Sequence, residues 1–393
     1  MIDLLSGVRV LDLTNVLAGP YCCYQLALLG ADVIKVEAPA GGDLARQLGA
    51  SPELNRAGMG ASFLAQNAGK RSVVLDLKKE AERERFLDLV ATADALVENF
   101  RPGVMQRLGL GYDVLKGVQP RLVYCAISGF GQTGPMRDNP AYDQIIQGLS
   151  GIMSITGTPE AAPLRVGYPV ADTVGGLVGA FATCAALVRQ KTTGEGAFLD
   201  VSMLESALSA LGWPVSNYLT ADVEPTPMGN ENMTAAPSGT FRTGDGLLNI
   251  AANKQEQFVT LCALAGRPEL AADPRFAERE TRKKNRTALK TLLEEALAGD
   301  TAAAWEQKLN RAGVPAGRVL TIPQVLDEEQ VRQRRMTRSF AGVAGREKPL
   351  TVVRGGVIVD GRPPLPESPP PVLGEHSDEI FAATPRRARK AAS

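Results

Sequence analysis

The sequence predicts a mixed α/β protein whose large domain is a doubly wound, Rossmann-like sheet of parallel strands. One observation is a strand, a helix and a strand in succession: residues 8–14 and 32–37 are rich in β-branched residues, and the helical segment 21–29 ends at Gly30. Such a βαβ unit places its two strands parallel. The second observation is that this alternation continues to residue 128. The further predicted elements are strands 72–77, 95–100 and 122–128, helix 79–93, and short helices 104–108 and 112–118.

The chain changes character after residue 220. Residues 221–239 are rich in Pro, Asn, Met and Thr without periodicity, so we interpret them as a linker. A hairpin and three helices then predict a smaller α+β domain, before a helical return segment and a second hairpin-like pair. The corresponding ranges are the hairpin 241–253, the helices 255–265, 281–298 and 301–312, the return segment 319–336 and the pair 350–359.

These patterns predict two domains joined by two long linkers. The tail is basic and polar, so we expect it to be disordered. The predicted divisions are a large α/β domain over 1–220, a linker and small α+β domain over 221–325, a return linker with the completion of the large domain over 326–383, and the tail over 384–393.

Composition argues against several classes of partner. Lys and Arg number 43 together, as do Asp and Glu, so no net field attracts nucleic acid or a membrane surface. The first residues lack the pattern of a secretory signal, and the uncharged run 174–188 is short for a membrane span. We therefore expect no nucleic-acid partner, no membrane partner and a cytoplasmic location.

The scarcity of histidine limits the chemistry of the site. His376 is the one histidine, so a multi-histidine metal site is excluded and a Ser-His or Cys-His pair requires His376 itself. The five cysteines contain no C-x-x-C pair, and their odd number argues against a disulfide framework. We expect no metal.

Asp172 is the leading candidate for a reactive group. It stands where a turn containing Gly167 and Pro169 passes into an apolar helix, and the dipole of the helix N-terminus favours an ionised carboxylate. The alternative is that Asp172 only caps the helix. Gly175 and Gly176 follow it, and glycines in a helix indicate close approach of either a facing helix or a ligand.

Four loops at the carboxyl ends of the predicted strands hold further candidates, because ligands of doubly wound sheets bind at that edge. No G-x-G-x-x-G follows the first strand, which argues against an ordinary dinucleotide site. Arg46 stands at a probable helix start, where we expect it to reach a phosphate. The four loops are 15–19, 41–46, 99–107 and 128–135.

Several separate motifs together resemble the class III CoA transferases, the CaiB/BaiF group, which also includes the α-methylacyl-CoA racemases. The resemblance covers nearly the whole chain. The motifs, in order, are LSGVRVLDLTNVLAGPYC, GADVIKVEAPAGGDLAR, NAGKRSVVLDLK, VENFRPGVMQRLGLGY, ISGFGQTGP, YDQIIQGLSGIMSITG, YPVADTVGGL and LGEHSDEI.

The resemblance implies an enzyme that moves CoA from an acyl-CoA thioester to a free carboxylic acid, through an anhydride and a thioester on Asp172. It implies coenzyme A as part of the substrate, no permanently bound cofactor, and a homodimer of two interlocked chains. It assigns supporting roles to Asp143 and Tyr142. It implies CoA contacts at Val16, Ala18, Leu75, Lys78, Asn99, Phe100, Arg107, Leu108 and Met203. From the residues themselves we expect backbone N–H groups near Gly175 and Gly176, or those of the loop 16–19, to hold the oxyanion. Arg165 is a candidate to pair a distal carboxylate of the substrate, and a structural salt bridge is the alternative.

Departures from the family pattern bear on specificity. Leu17, Ala38 and Pro140 stand where the formyl-CoA transferase branch has glutamine, arginine and lysine, whereas other runs resemble the succinyl-CoA-dependent dicarboxylate transferases. One alternative is a racemase, but Tyr142 stands where the racemases have a histidine, and tyrosine is a poor base near neutral pH. Another alternative is an acyl-CoA-binding protein without catalytic activity.

Overall fold

The computed structural model describes residues 2–343 and 347–387 of the 393-residue chain. Its strands confirm the predicted alternation, although most are shorter than the sequence pattern suggests. The strands are β1 (Arg9–Asp12), β2 (Asp32–Glu37), β3 (Arg71–Val74), β4 (Ala95–Glu98), β5 (Val123–Ser128), β6 (Ala197–Ser202), β7 (Ser238–Arg242), β8 (Leu247–Ala251), β9 (Ala316–Arg318), β10 (Thr337–Phe340) and β11 (Leu350–Val353).

Helices connect these strands, and two 3-10 helices, Leu44–Gln47 and Pro268–Ala271, accompany them. The predicted helix over 281–298 is broken at Asn285 into two. The α-helices are α1 (Ala18–Leu28), α2 (Pro52–Arg56), α3 (Ala61–Leu64), α4 (Glu80–Val90), α5 (Val104–Arg107), α6 (Tyr112–Val118), α7 (Asp143–Leu149), α8 (Ile152–Ile155), α9 (Val170–Thr193), α10 (Met203–Ala210), α11 (Gly212–Ala221), α12 (Gln255–Leu264), α13 (Arg279–Lys284), α14 (Arg286–Leu297), α15 (Ala302–Arg311), α16 (Ile322–Asp327), α17 (Glu329–Gln333) and α18 (Ser377–Ala383).

The chain forms two compact units. The first comprises the described residues up to 152, 165–223 and those from 329 onwards, and the second comprises 153–164 and 224–328. The segment 153–164 belongs to the second unit, whereas the sequence analysis places it within the large domain.

The first unit contains a six-stranded sheet in the order β3-β2-β1-β4-β5-β6, with every neighbouring pair parallel. Both faces of its four central strands, β2, β1, β4 and β5, are buried, because alternate residues of these strands enter different cores. On β1, Val10 packs with Cys22 of α1 on one face, while Leu11 packs with Phe86 of α4 on the other. The doubly wound prediction is confirmed.

Helix α9 packs against α1 through its glycines. A Cβ on Gly176 would lie 2.5 Å from the carbonyl oxygen of Ala18, and one on Gly179 would lie 2.8 Å from Ile127 Cδ1 and 3.3 Å from Cys22 Sγ. Close packing against α1 therefore accounts for Gly176 and Gly179. Among the described residues, α9 is also the one helix whose length and composition would suit a membrane span, and this packing inside the first unit accounts for part of its apolar character.

The second unit is built on a three-stranded antiparallel sheet in the order β7-β8-β9. Phe241, Leu248 and Phe258 are among the residues of its core, with Leu293 and Trp305 from the surrounding helices. The hairpin and the helices predicted for 241–312 therefore fold around one another.

Two predictions near the C-terminus are wrong. Residues 350–359 do not form a pair of their own: β11 pairs antiparallel with β10, which begins directly after the segment 319–336 predicted as helical. The tail is also ordered as far as residue 387, because Arg387 bonds to Asp88 and Glu84 and Thr384 is buried. The remainder of the predicted tail, 388–393, lies outside the described residues.

Candidate active site

A cavity of about 350 Å³ opens at the carboxyl ends of the parallel strands of the first unit. It lies at the switch point between β1 and β4, where the strand order changes direction and doubly wound sheets bind ligands. All four loops predicted from the sequence contribute to its wall. Its polar lining residues include Asn15, Asn99, Arg101, Tyr142 and Asp172, and its apolar ones include Val16, Leu17, Leu44, Phe100 and Met203.

Asp172 lies in the first turn of α9 and lines this cavity. It does not cap the helix: Pro169 is the N-cap residue, and Asp143 supplies the capping carboxylate instead. Asp143 Oδ1 accepts the N–H groups of Ala171 at 2.8 Å and of Asp172 at 3.4 Å. The capping interpretation of Asp172 is therefore wrong, and its carboxylate is not engaged as a cap.

Burial raises the pKa of Asp172 to about 7, and repulsion from the Asp143 carboxylate adds to the shift. The sequence analysis expects full ionisation at neutral pH, and the structure corrects this. Asp143 already accepts the N–H groups at the start of α9, so the helix end does little for the Asp172 anion. Near pH 7 both protonation states are populated, and the ionised form is more basic than an ordinary aspartate.

Gly175 and Gly176 do not supply an oxyanion site. Both lie within the continuous helix α9, where each N–H is used by the carbonyl group four residues earlier. Gly175 is instead a point of close packing, because an added Cβ would lie 3.0 Å from Met203 Cγ. Gly175 therefore packs against Met203, and Gly176 packs against the main chain of Ala18.

The loop after β1 is held in an unusual conformation. Val16 has φ = 68°, which is costly for a β-branched residue. Asn15 and Asn99 clamp the loop reciprocally: Asn15 N–H donates to Asn99 Oδ1 at 2.7 Å, and Asn99 Nδ2 donates to the Asn15 carbonyl at 2.8 Å. Helix α1 starts directly afterwards, and its first internal bond runs from Tyr21 N–H to the Leu17 carbonyl.

The N–H groups of Ala18 and Gly19 precede that first bond of α1, so they have no carbonyl partner within the helix. They emerge at the end of α1 that adjoins the cavity-lining residues Val16 and Leu17. A helix N-terminus attracts negative charge. These two N–H groups are therefore better placed than Gly175 and Gly176 to stabilise an oxyanion.

The other supporting residues divide into those at the cavity and those away from it. Tyr142 is on the wall and 65% exposed. Arg165 is exposed and is not part of the lining. His376 is bound at β3, where its Nδ1 accepts the Ser72 N–H at 3.3 Å. The chemistry of the cavity is therefore carried by carboxylate, amide, phenol and guanidinium groups.

The residues assigned to CoA by resemblance are only partly brought together. Val16, Asn99, Phe100 and Met203 line the cavity, whereas the side chain of Ala18 is buried and is not part of the lining. The remaining residues lie outside the lining: Leu75 is buried in the core, Leu108 is partly buried, and Lys78 and Arg107 are exposed to solvent.

Arg46 is not available to a phosphate. It is 1% exposed, forms two 2.8 Å bonds to the Glu37 carboxylate, donates to the Pro371 carbonyl, and stacks on the Phe63 ring. The predicted contact of Arg46 with a phosphate is wrong, because Arg46 forms a buried ion pair with Glu37 that fixes the loop after β2.

Three relevant residues were not assigned to the site from the sequence. Leu44 and Arg101 line the cavity, and both lie inside loops that the sequence does predict. Glu98 immediately precedes Asn99: burial raises the pKa of Glu98 to about 7, although its bonds to Phe100 N–H and Tyr124 Oη favour the anion. Nothing in the local sequence indicates this burial.

A partly buried acid at the switch point of a doubly wound sheet, with no imidazole beside it, defines a carboxylate-dependent site. Comparison with known proteins gives the class of this site. The model of CoA-transferase family III matches residues 5–377. An acetyl-CoA:oxalate CoA-transferase from Acetobacter aceti is 41% identical over 348 residues, covering 88% of each chain. A succinate–glutarate CoA-transferase from Agrobacterium fabrum is 37% identical over 96% of this chain and 95% of its own.

A solved structure agrees with these relatives. The crystal structure of a CaiB/BaiF family protein from Brucella suis superimposes with a TM-score of 0.84 at 36% identity, covering 97% of this chain and 99% of the other. The chain belongs to CoA-transferase family III. It is an enzyme that transfers CoA from an acyl-CoA to a free carboxylic acid.

Proposed function

We propose that the protein transfers CoA to a dicarboxylic acid by covalent catalysis at Asp172. The observation that carries this proposal is the position of the partly buried Asp172 carboxylate on the wall of the switch-point cavity, where desolvation raises its pKa to about 7. In its ionised form it is a nucleophile that needs no separate base. Partial burial also limits the access of water to Asp172, so that water competes less with the acceptor acid for the acylated intermediate.

The reaction proceeds in two matched halves. In the first, the Asp172 carboxylate attacks the donor thioester, forming a mixed anhydride and releasing CoA thiolate. The thiolate then attacks the aspartyl carbonyl carbon, which forms an aspartyl-CoA thioester and releases the donor acid. In the second half, the acceptor carboxylate attacks this thioester, and the returning thiolate takes the acceptor acyl group, so that Asp172 is regenerated.

The two N–H groups at the start of α1 stabilise the oxyanion of each tetrahedral intermediate. Removing one donor from such a site typically lowers kcat by about 10²–10³-fold. Among substitutions, only proline removes a main-chain N–H donor. Gly19→Pro removes the N–H at that position, but an added Cβ there would lie 2.3 Å from Thr14 Cγ2, so Gly19→Ala, which keeps the N–H and has the same close contact, is the matched control. A kcat in Gly19→Pro equal to that in Gly19→Ala would exclude Gly19 as a donor.

The substrate class is proposed from the relatives and from the charge of the cavity wall. The two CoA-transferases named above act on oxalate and on succinate and glutarate, which are all dicarboxylates. Arg101 supplies a cation on the wall for a second carboxylate or for a phosphate group of CoA. A screen of dicarboxylic and monocarboxylic acids with succinyl-CoA and acetyl-CoA, read as new thioesters by mass spectrometry, tests the class. Transfer to monocarboxylates alone would contradict it.

The assembly we propose is an interlocked homodimer in the cytoplasm. Its support is a stripe of exposed apolar side chains on α9, formed by Leu177, Phe181 and Val188, with Phe181 74% exposed. Burying such a stripe against a second copy is favourable. The five free cysteines suit a reducing compartment. Light scattering of the purified protein tests the dimer, and assay of cell fractions tests the location.

The direct test of the proposed function is Asp172→Asn, which keeps the size of the side chain and removes the nucleophile. We expect kcat for CoA transfer to fall by at least about 10⁴-fold, with CoA binding by calorimetry largely retained. Asp88→Asn is the matched control, because Asp88 is buried but bonds to Arg85 and Arg387 away from the cavity. Full activity in Asp172→Asn would refute the mechanism.

A further inference from the structure

Four buried charges lie directly beneath the loop that follows β1. Asp12, Lys35, Asp43 and Lys70 are each no more than 1% exposed. Lys35 Nζ lies 3.0 Å from Asp43 Oδ2 and 3.7 Å from Asp12 Oδ1, and Lys70 Nζ lies 2.8 Å from Asp12 Oδ2. We call these four residues the charge network.

Stability alone gives a poor reason for this network. Removing four charges from water is costly, and well-packed apolar residues of similar volume are often equally stable or more stable. A role in positioning the main chain explains this buried network better. The backbone atoms that it bonds therefore indicate its role.

The charge network bonds the main chain at successive points along the first loop. Lys35 Nζ donates to the Thr14 carbonyl at 2.8 Å, and Lys70 Nζ donates to the Pro20 carbonyl at 2.9 Å. Between them, the Val16 N–H donates to Asp43 Oδ1 at 2.9 Å. The segment 14–20, which includes the left-handed Val16 and the start of α1, is thus held from one side throughout.

Asp43 also joins this loop to a second part of the cavity wall. Its Oδ1 accepts the Ala45 N–H at 2.8 Å, which caps the 3-10 helix that carries Leu44. Leu44 and Val16 both line the cavity of Asp172. One carboxylate oxygen therefore fixes two lining segments, while the other is neutralised by Lys35.

We propose that Asp43 is a positioning residue for CoA transfer, which holds Val16 in its left-handed conformation and so aligns the start of α1 with the cavity of Asp172. The proposal rests on the proposed function, since it concerns the alignment of that cavity. A misplacement of about 1 Å in such a site lowers the rate by about 10²-fold. The strain at Val16 is maintained because Asp43 bonds one side of the loop and Asn99 the other.

Comparison of Asp43→Ala with Asp43→Asn separates positioning from stability. Both variants remove one of the two carboxylates beside the buried Lys35 cation, so both lower the thermal midpoint. Asparagine keeps one acceptor oxygen for the N–H groups of Val16 and Ala45, with its amide nitrogen in place of Oδ2 and the Lys35 side chain turned away from that nitrogen towards Asp12 and the Thr14 carbonyl. Alanine keeps no acceptor. We expect Asp43→Ala to lose about 10²-fold in kcat, and Asp43→Asn to retain a kcat within about tenfold of wild type. Equal losses of kcat in the two variants would overturn the proposal.

A double-mutant cycle supplies an independent readout. Glycine adopts positive φ without cost, so Val16→Gly removes the need for Asp43 to enforce that conformation. We expect Asp43→Ala to reduce kcat by a smaller factor in the Val16→Gly background than in wild type; an identical factor would overturn the proposal. If Asp43→Ala does not fold, Asp43→Asn decides alone, and a loss of kcat beyond about tenfold overturns the proposal.

These outcomes can be distinguished from failure of the proposed function. The Asp43 comparison is read as the rate of CoA transfer, and it does not depend on which group is acylated. Activity in Asp172→Asn would refute the covalent mechanism and leave the comparison at Asp43 interpretable. Asp88→Asn again serves as the control, because it loses a buried carboxylate that holds no cavity residue.

Discussion

Asp172→Asn should stabilise the protein at alkaline pH, because the nucleophile is held in a site that disfavours its charge. The pKa of Asp172 rises from the ordinary 3.8 to about 7 on folding. At 1.36 kcal/mol per pKa unit, ionising this group costs the folded state about 4 kcal/mol. The folded pKa lies above the unfolded one, so this cost begins as pH rises past about 4 and is complete above about 7. Asparagine is neutral throughout and never incurs it.

The assay is thermal unfolding of wild type and Asp172→Asn at about pH 5 and about pH 9. We expect the variant to gain about 3 kcal/mol of stability relative to wild type between these conditions, because more than a third of the cost is already present at about pH 5. The titration of Glu98 affects both proteins and cancels in the difference. A stability difference that stays constant with pH, or that falls as pH rises, would refute the argument that burial and Asp143 raise the pKa of Asp172.

Three further predictions concern separate parts of the structure. The pH profile of kcat/KM should rise through about 7 and should move to lower pH in Asp143→Asn, which removes the repelling charge but keeps the capping oxygen. Glu98→Gln is the control, and a profile that moves only in Glu98→Gln would assign the titration to Glu98. Arg46→Met should lower the free energy of unfolding by about 3–5 kcal/mol, because it leaves Glu37 without its ion-pair partner, and it should not raise the KM for acyl-CoA. A raised KM with normal stability would instead show that Arg46 binds the substrate. Phe181→Glu should prevent assembly of the dimer by light scattering, whereas Arg165→Glu, also exposed, should not; a dimeric Phe181→Glu would remove the α9 stripe from the interface.

The sheet and the position of the cavity could be predicted because both follow from local order along the chain. Alternating strands and helices specify a parallel sheet, and a parallel sheet specifies the edge at which ligands bind. The loops after β1, β2, β4 and β5 were therefore identified before their side chains could be placed. The pairing of β11 with β10 could not be predicted in this way, because the residue pattern of 350–353 indicates a strand but does not indicate which strand pairs with it.

The charges of the site could not be predicted because they depend on residues that are distant in sequence. Asp143 lies 29 residues before Asp172, yet it occupies the N–H groups at the start of α9 and raises the pKa of the nucleophile. From the sequence Arg46 is expected to be a surface cation, whereas in the fold it is buried against Glu37 and the Pro371 carbonyl. Burial and pairing are properties of the assembled fold, and a single sequence gives little sign of them.

The most direct test of the central claim is to find which residue becomes acylated. The protein is incubated with succinyl-CoA alone, digested with trypsin and analysed by mass spectrometry, and cleavage after Arg165 and Arg189 isolates Asp172 on one peptide. That peptide also contains Cys184, so the Cys184→Ser variant is examined in parallel. The account predicts a hydroxylamine-sensitive acyl or CoA adduct on Asp172 in both proteins. Turnover without any adduct at Asp172, or an adduct that disappears in Cys184→Ser, would contradict it.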